Sequence, residues 1–182
     1  MMSHRVTRVV VTGSESTGKT TLARDLAAHF GGLWIAEQSR AYAERVRRDL
    51  TADDVGPIAS EQIAAEDAAL AEAIRRNVHW LFLDTDLLST VVYARHYYGV
   101  CPAWVEAEGR ARLGDLYLLA DIDVPWTADP VRDRPHSREE VQLAFQTVLS
   151  EFNAPKCLVR GLGRHRLEAA LKCIASEESP GK

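Results

Sequence analysis

The sequence predicts an α/β fold built on a parallel sheet, and three observations carry that prediction. Short apolar runs recur along the chain and alternate with longer stretches of helical periodicity. The runs are continuously apolar rather than alternating, as strands buried on both faces are. The first run ends in a loop, Gly13-Ser-Glu-Ser-Thr-Gly18, that leads directly into a helical pattern.

Val6–Val11 reads as the first strand, because it is apolar and largely β-branched. Lys19–Phe30 follows as a helix, with Leu22, Leu26 and Phe30 at helical spacing and Gly31-Gly32 as its stop. Leu33–Ala36 is a second strand that ends where the polar stretch Glu37-Gln-Ser-Arg-Ala-Tyr42 begins. Thr51-Ala-Asp-Asp54 has the form of a capping box. An Ala-rich helix is expected from there to about Arg76, with Ile63, Leu70 and Ile74 on one face. Trp80–Leu83 is a third strand bounded by Asp84, and helical patterns flank Tyr97-Tyr-Gly-Val-Cys-Pro102. Asp115–Ala120 is a fourth strand. The Pro-, Asp- and Arg-rich segment after it, Asp121 to Arg138, is not regular throughout. Ser137-Arg-Glu-Glu140 opens a helix whose Val141, Phe145, Val148 and Phe152 share a face. Lys156–Arg160 is a fifth strand and Arg164–Ala175 a last helix.

A chain of 182 residues suits one domain, expected over 1–175, with a short tail over 176–182 that reads as disordered. The net charge of −4 argues against a broad nucleic-acid surface, which needs a basic face. Cys101, Cys157 and Cys173 are far apart and form no CxxC pair, so neither a disulfide framework nor a zinc site is expected, and a reducing cytoplasm is the natural setting. The apolar run at Val9–Val11 is too short for a signal sequence, and no stretch is long enough to span a membrane. No nucleic-acid or membrane partner is expected, and a homo-oligomer is left open.

The loop carries the chemistry. Gly13, Gly18, Lys19 and Thr20 match G-x-x-x-x-G-K-[ST], between a predicted strand and a predicted helix. Gly13 turns the chain out of the strand. Backbone N–H groups of Ser14, Glu15, Ser16, Thr17 and Gly18 then curl round a phosphate, and the helix N-terminus beyond Lys19 and Thr21 adds partial positive charge. Lys19 reaches the outer phosphates and the Thr20 hydroxyl suits Mg²⁺. The ligand that fits is ATP, held as its magnesium complex.

Where the phosphate goes depends on other residues. Asp84, at the end of the third strand, suits Mg²⁺ beside Thr20. Asp86 suits a helix cap and a second candidate base. Arg132, Arg134 and Arg138 lie between the fourth strand and a helix, where loop arginines can neutralise transition-state charge. Glu37 can take a hydroxyl proton or bind a ribose diol, Arg40 can pair with an acidic group or position Glu37, and Tyr42 can stack on a flat ring. Gln62 and Glu66 stand one turn apart on the Ala-rich helix, facing the same cleft or solvent.

Taken together, GSESTGKTTL, AEQSRAY, Gln62 with Glu66, DTD with Thr90 and Tyr93 downstream, PWTADPVR and the late GLGR resemble the kinase domain of the NadR family. The resemblance runs from about Val6 to Ile174. It implies a P-loop NTPase fold with strand order 2-3-1-4-5 and an arginine-bearing lid. It implies transfer of the ATP γ-phosphate to the 5′-hydroxyl of nicotinamide riboside, giving nicotinamide mononucleotide. Residue by residue, Gly13 to Thr21 and Arg164 would hold ATP, and Asp84 would serve Mg²⁺. Glu37, Arg40, Tyr42, Gln62, Asp86 and Trp126 would face the riboside, and Arg132 with Arg134 would act from the lid. The chain has no room for the adenylyltransferase and DNA-binding modules of some members. Two other functions fit the residues: a kinase of another nucleoside or nucleotide, or a regulatory ATPase acting through a protein partner.

Overall fold

The computed structural model describes residues 5–125 and 138–177. Strands β1 (Thr7–Thr12), β2 (Leu33–Ile35), β3 (Trp80–Asp84), β4 (Leu116–Ala120) and β5 (Lys156–Val159) form one sheet in the order β2-β3-β1-β4-β5. Every pairing is parallel, so each crossover returns the chain to the same edge of the sheet. Those crossovers are made by helices α1 (Lys19–Phe30), α2 (Gln38–Val46), α3 (Val55–Arg75), α4 (Leu87–Tyr98), α5 (Ala103–Ala111) and α6 (Arg138–Glu151). Helix α7 (Arg164–Glu177) closes the described chain. The expected strand order is the one observed.

Two apolar layers cover the sheet, and the pleat decides which residue enters which. Val10, Leu81, Leu83, Tyr117 and Leu119 face the layer filled by α3, α4, α5 and α6. Val9, Val11, Phe82, Leu116, Leu118 and Val159 face the layer filled by α1 and α7. Continuous apolar strands are the direct result: both sides of the pleat are buried.

The strands and α1 fall within about one residue of the sequence expectation. Five features differ. Helix α2 occupies the polar Glu37–Tyr42 stretch; none of its residues is buried, so no apolar period marks it. On α3 the buried stripe is Val55, Ile58, Ala59, Gln62, Glu66 and Ala73, whereas Ile74 is 53% exposed. The stripe is rotated by roughly 80° from the Ile63–Leu70–Ile74 face at 100° per residue. Polar Gln62 and Glu66 occupy its middle and disguise it. Arg138 is not a loop residue but the buried start of α6, donating to the Val124 carbonyl at 3.1 Å. Cys157 on β5 and Cys173 on α7 form a disulfide, against the sequence expectation, because α7 packs back on β5 and brings together residues 16 apart in sequence. Helix α7 also takes in Ser176 and Glu177 of the expected tail; residues 178–182 lie outside the described residues, as does Ser137 of the second capping box. Among the described residues no helix is long and apolar enough to cross a membrane.

The first capping box is present and does more than start a helix. Ala52–Asp54 forms a 3-10 turn, with Asp54 accepting from the Thr51 N–H at 2.8 Å. Asp54 also takes two hydrogen bonds from Arg48, at 2.7 and 2.8 Å, and one from the Tyr42 hydroxyl at 2.9 Å. One buried carboxylate thus pins α2 to the start of α3. Chiefly the Arg48 guanidinium, with Thr51 and Tyr42, holds Asp54 well below the usual carboxylate range. Its contribution is therefore present above the unfolded carboxylate pKa of about 4 and lost as pH falls below it. Asp54→Asn is expected to lower stability at pH 7 by about 1–3 kcal/mol, and urea melts should show that deficit narrowing below pH 4.

Candidate active site

The phosphate-type loop sits where the sheet's carboxyl edge meets α1. Gly13 has φ 125°, and a Cβ there would lie 2.8 Å from the Ala120 carbonyl oxygen of β4. Both the backbone angle and the close approach therefore require glycine. Gly18 caps α1 with φ 76° and has open space round it, so conformation alone selects it. Between them Ser14, Glu15 and Thr17 are buried, and hydrogen bonds reach the loop from α6, from α7 and from within the loop and α1. Gln142 of α6 accepts from the Ser14 N–H at 3.1 Å and donates to the Ala120 carbonyl at 3.0 Å. The Ser14 carbonyl accepts from the Thr17 hydroxyl at 2.8 Å and from the Lys19 ammonium at 2.7 Å. Arg166 of α7 donates to the Thr17 and Gly161 carbonyls and to the Asp123 carboxylate.

Next to the loop, Thr20 donates to Asp84 at 2.5 Å. Asp84 closes β3 and is buried, as its expected place beside the loop requires. A hydroxyl and a carboxylate are hard oxygen donors of the kind Mg²⁺ takes. Among the described residues no group of three or more acidic, His or Cys side chains is placed to hold a metal ion.

The chain then makes an unusual turn. Thr85 has φ 64°, a left-handed angle rare for a β-branched residue and costing about 1–3 kcal/mol, and its N–H donates to the Val11 carbonyl at 3.0 Å. On one side of it Asp84 meets Thr20. On the other, Asp86 caps α4, accepting from the Leu88 N–H at 3.1 Å and from the Tyr117 hydroxyl at 2.5 Å. The expected capping role is the observed one.

Asp86 also borders a cavity that opens between α2, α3 and α4 beside the loop. Glu15, Ser39, Gln62, Thr85, Ser89 and Thr90 give it a polar side, and Val55, Ile58, Tyr93, Tyr97 and Tyr98 an apolar one. The rings of Tyr93 and Tyr97 stack 5.8 Å apart. Behind it Gln62 donates to Glu66 at 2.9 Å, and Arg8 and Arg112 stand 3.8 Å from the other Glu66 oxygen. Burial pushes the pKa of Glu66 up, against Gln62 and the two arginines. Burial and the Glu66 charge push Asp86 up as well, against the Tyr117 hydrogen bond.

Other residues singled out in the sequence fall as follows. Glu37 precedes α2 and accepts from the Ser39 hydroxyl at 2.8 Å, so it adjoins the cavity without lining it. Arg40 is exposed on α2. Tyr42 is turned to Asp54, with Arg45 over its ring at 5.0 Å, and does not line the cavity. Arg164 is mostly exposed and pairs with Glu168 at 3.0 Å. Trp126, Arg132 and Arg134 lie outside the described residues.

A family model described as an AAA domain matches residues 8–166 of this chain. The chain belongs to the AAA-domain family. Among its relatives, the trifunctional NAD biosynthesis/regulator protein NadR of Escherichia coli (strain K12) is 31% identical over 153 residues. That match takes in 81% of this chain but 37% of NadR, so the chain spans just over a third of that curated relative's length. A crystal structure of NadR protein in complex with NR superimposes with a TM-score of 0.74 at 26% identity, over 94% of this chain and 49% of that one. A second, in complex with NAD and AMP-PNP, gives 0.71 at 26% identity, over 93% and 50%. The P-loop fold expected from the sequence, with strand order 2-3-1-4-5, is thus the fold of this AAA-family chain.

Two residues central to the loop escaped sequence reasoning: Gln142 and Arg166. Each left a signal. Gln142 interrupts the buried Val141–Phe145–Leu149 stripe of α6, and Arg166 heads the Ala170–Cys173–Ile174 stripe of α7. A polar residue at a core position of an amphipathic helix has to have a buried partner. Gln142→Leu is expected to lose about 1–3 kcal/mol for each loop group left unpaired, the Ser14 N–H and the Ala120 carbonyl. Denaturant melts of the variant should show it, with α-helical content unchanged.

Proposed function

We propose that this domain is an ATP-dependent kinase that phosphorylates the 5′-hydroxyl of nicotinamide riboside to give nicotinamide mononucleotide. The observation that carries the reading is the cavity: it begins at the phosphate-type loop, shares Glu15 with it, and is half aromatic and half hydroxyl- and carboxylate-bearing. A flat ring on one end of a riboside and a diol on the other match those two halves. The NadR structures with NR and with AMP-PNP support both ligands.

Each residue then has a role in this reading. The loop from Gly13 to Thr21 holds the triphosphate, and Lys19, turned inward at 2.7 Å from the Ser14 carbonyl, swings to the outer phosphates. Thr20 and Asp84 would hold Mg²⁺, which would supply charge neutralisation for the phosphates. Gln62 and Ser39 meet the riboside, with Glu37 behind Ser39 orienting it. Tyr93 and Tyr97 take the stacking role that Tyr42, held by Asp54, does not. Arg132 and Arg134 are assigned to transition-state charge, and Trp126 to the ring, on sequence alone. Catalysis is then chiefly positioning and electrostatics, since in-line transfer leaves little covalent work for the protein.

An acceptor panel with Mg·ATP, read by ADP release and product mass, tests this. Nicotinamide riboside is expected to exceed uridine and thymidine by about two- to thirtyfold in kcat/KM, as aromatic stacking of a cationic ring contributes about 0.5–2 kcal/mol. Lys19→Ala is expected to abolish transfer while keeping a cooperative thermal transition. Equal use of uridine leaves a general nucleoside kinase; ATP consumption without any phosphorylated product leaves an ATPase.

A further inference from the structure

On α3 the cavity is lined by Val55, Ile58 and Gln62, which follow one another at helical spacing. Gln62 therefore continues an apolar wall, at the edge of the space a flat ring would fill. The hydroxyls of Ser39, Thr85 and Ser89 come from other elements. The Gln62 amide has a defined polarity. It is buried, and its Nε2 donates to Glu66 at 2.9 Å. A carboxylate beside two guanidiniums is an acceptor only, so the amide nitrogen faces it and the Oε1 end is turned away. Glu66 stands behind Gln62, outside the cavity lining. Its second oxygen faces Arg8 and Arg112, each at 3.8 Å. Those two side chains are held in turn, Arg8 by the Arg112 carbonyl and Arg112 by the Asp67 carboxylate. The carboxylate is thus clamped between cations on one side and the amide on the other.

We propose that Glu66 is a positioning residue that fixes the Gln62 amide with Oε1 toward the cavity, so that the site selects a ring bearing a carboxamide N–H over one bearing a carboxylate. This rests on the kinase reading above and deepens it, by naming what distinguishes one riboside from its close analogue. An amide oxygen accepts from a carboxamide N–H. Set against a carboxylate, it meets a second acceptor, and both are left unpaired in a buried place. Glu66 touches no ligand itself; it acts through the orientation of Gln62.

Glu66→Gln is nearly isosteric and tests polarity rather than packing. The two guanidiniums claim the oxygen of the new amide and leave its NH2 toward Gln62. Gln62 then has to turn its own oxygen inward and offer N–H to the cavity. Dissociation constants of nicotinamide riboside and nicotinate riboside, measured by calorimetry without ATP, read this separately from turnover. The wild-type chain is expected to bind nicotinamide riboside about tenfold or more tighter. In Glu66→Gln that ratio should fall by about tenfold, through weaker binding of nicotinamide riboside and tighter binding of nicotinate riboside, with ATP affinity within about twofold of wild type. Glu66→Asp keeps the acceptor and should keep the preference. Gln62→Leu removes the amide and should lose the preference without reversing it; this variant decides if Glu66→Gln fails to fold. An unchanged ratio in Glu66→Gln or Gln62→Leu overturns the proposal. So does an equal loss for both ribosides in Glu66→Gln, which is what loosened packing gives. Selective binding without any phosphorylated product strikes the kinase reading and leaves the role of Glu66 standing. Absence of binding of either riboside to the wild type overturns both.

Discussion

The loop between β1 and α1 is buried at Ser14, Glu15 and Thr17, and the backbone groups it buries have to be satisfied there. At Gly13 the chain passes the Ala120 carbonyl so closely that a single methyl group would not fit. A buried N–H or C=O left unpaired costs as much as a lost hydrogen bond. The partners come from far along the sequence. Gln142 arrives from α6, 128 residues beyond Ser14, and Arg166 from α7, 149 residues beyond Thr17. Loop, β4, α6 and α7 are consequently one hydrogen-bonded unit. Its geometry is set before any ligand enters, which is what preorganised charge stabilisation needs.

A second consequence of building a polar site inside an α/β core appears on α3. Its buried stripe carries Gln62 and Glu66 where an ordinary helix would carry leucine, and those two groups must be paired in turn. Arg8 from β1 and Arg112 from the end of α5 approach Glu66, while Asp86 and Tyr117 pair next to it. The cavity's polar side is thus backed by charges that touch no substrate but hold Gln62 at its station. Aliphatic packing would be the cheaper way to fill that volume.

What was legible in the sequence follows the same physics. Strands buried on both faces announce themselves by apolar continuity, so all five were readable, and the Gly13–Thr20 spacing is dictated by backbone geometry that few other sequences satisfy. Asp84 was readable because carboxyl ends of parallel strands gather ligands. Helix α2 was not, since none of its side chains is buried and no period distinguishes it from a loop. The facing of α3 was misread because its core stripe contains the site's own polar groups. Tyr42 looked like a ring waiting for a ligand, but Asp54, twelve residues away, had already claimed its hydroxyl. The Cys157–Cys173 pairing depends on how α7 returns across the sheet, which no local pattern records.

Thr85 has a consequence for how such a domain can change over time. Its left-handed turn places two aspartates, one residue to either side, in different compartments: Asp84 with the loop threonine, Asp86 with the cavity. The two halves of the site therefore meet at this backbone kink and at Glu15, which belongs to the loop and lines the cavity. Most of the cavity wall comes from α2, α3 and α4, whereas the partners that hold the loop come from α6 and α7. A lineage can exchange one small-molecule partner for another by drift in three helices, while the machinery common to all of them is inherited untouched.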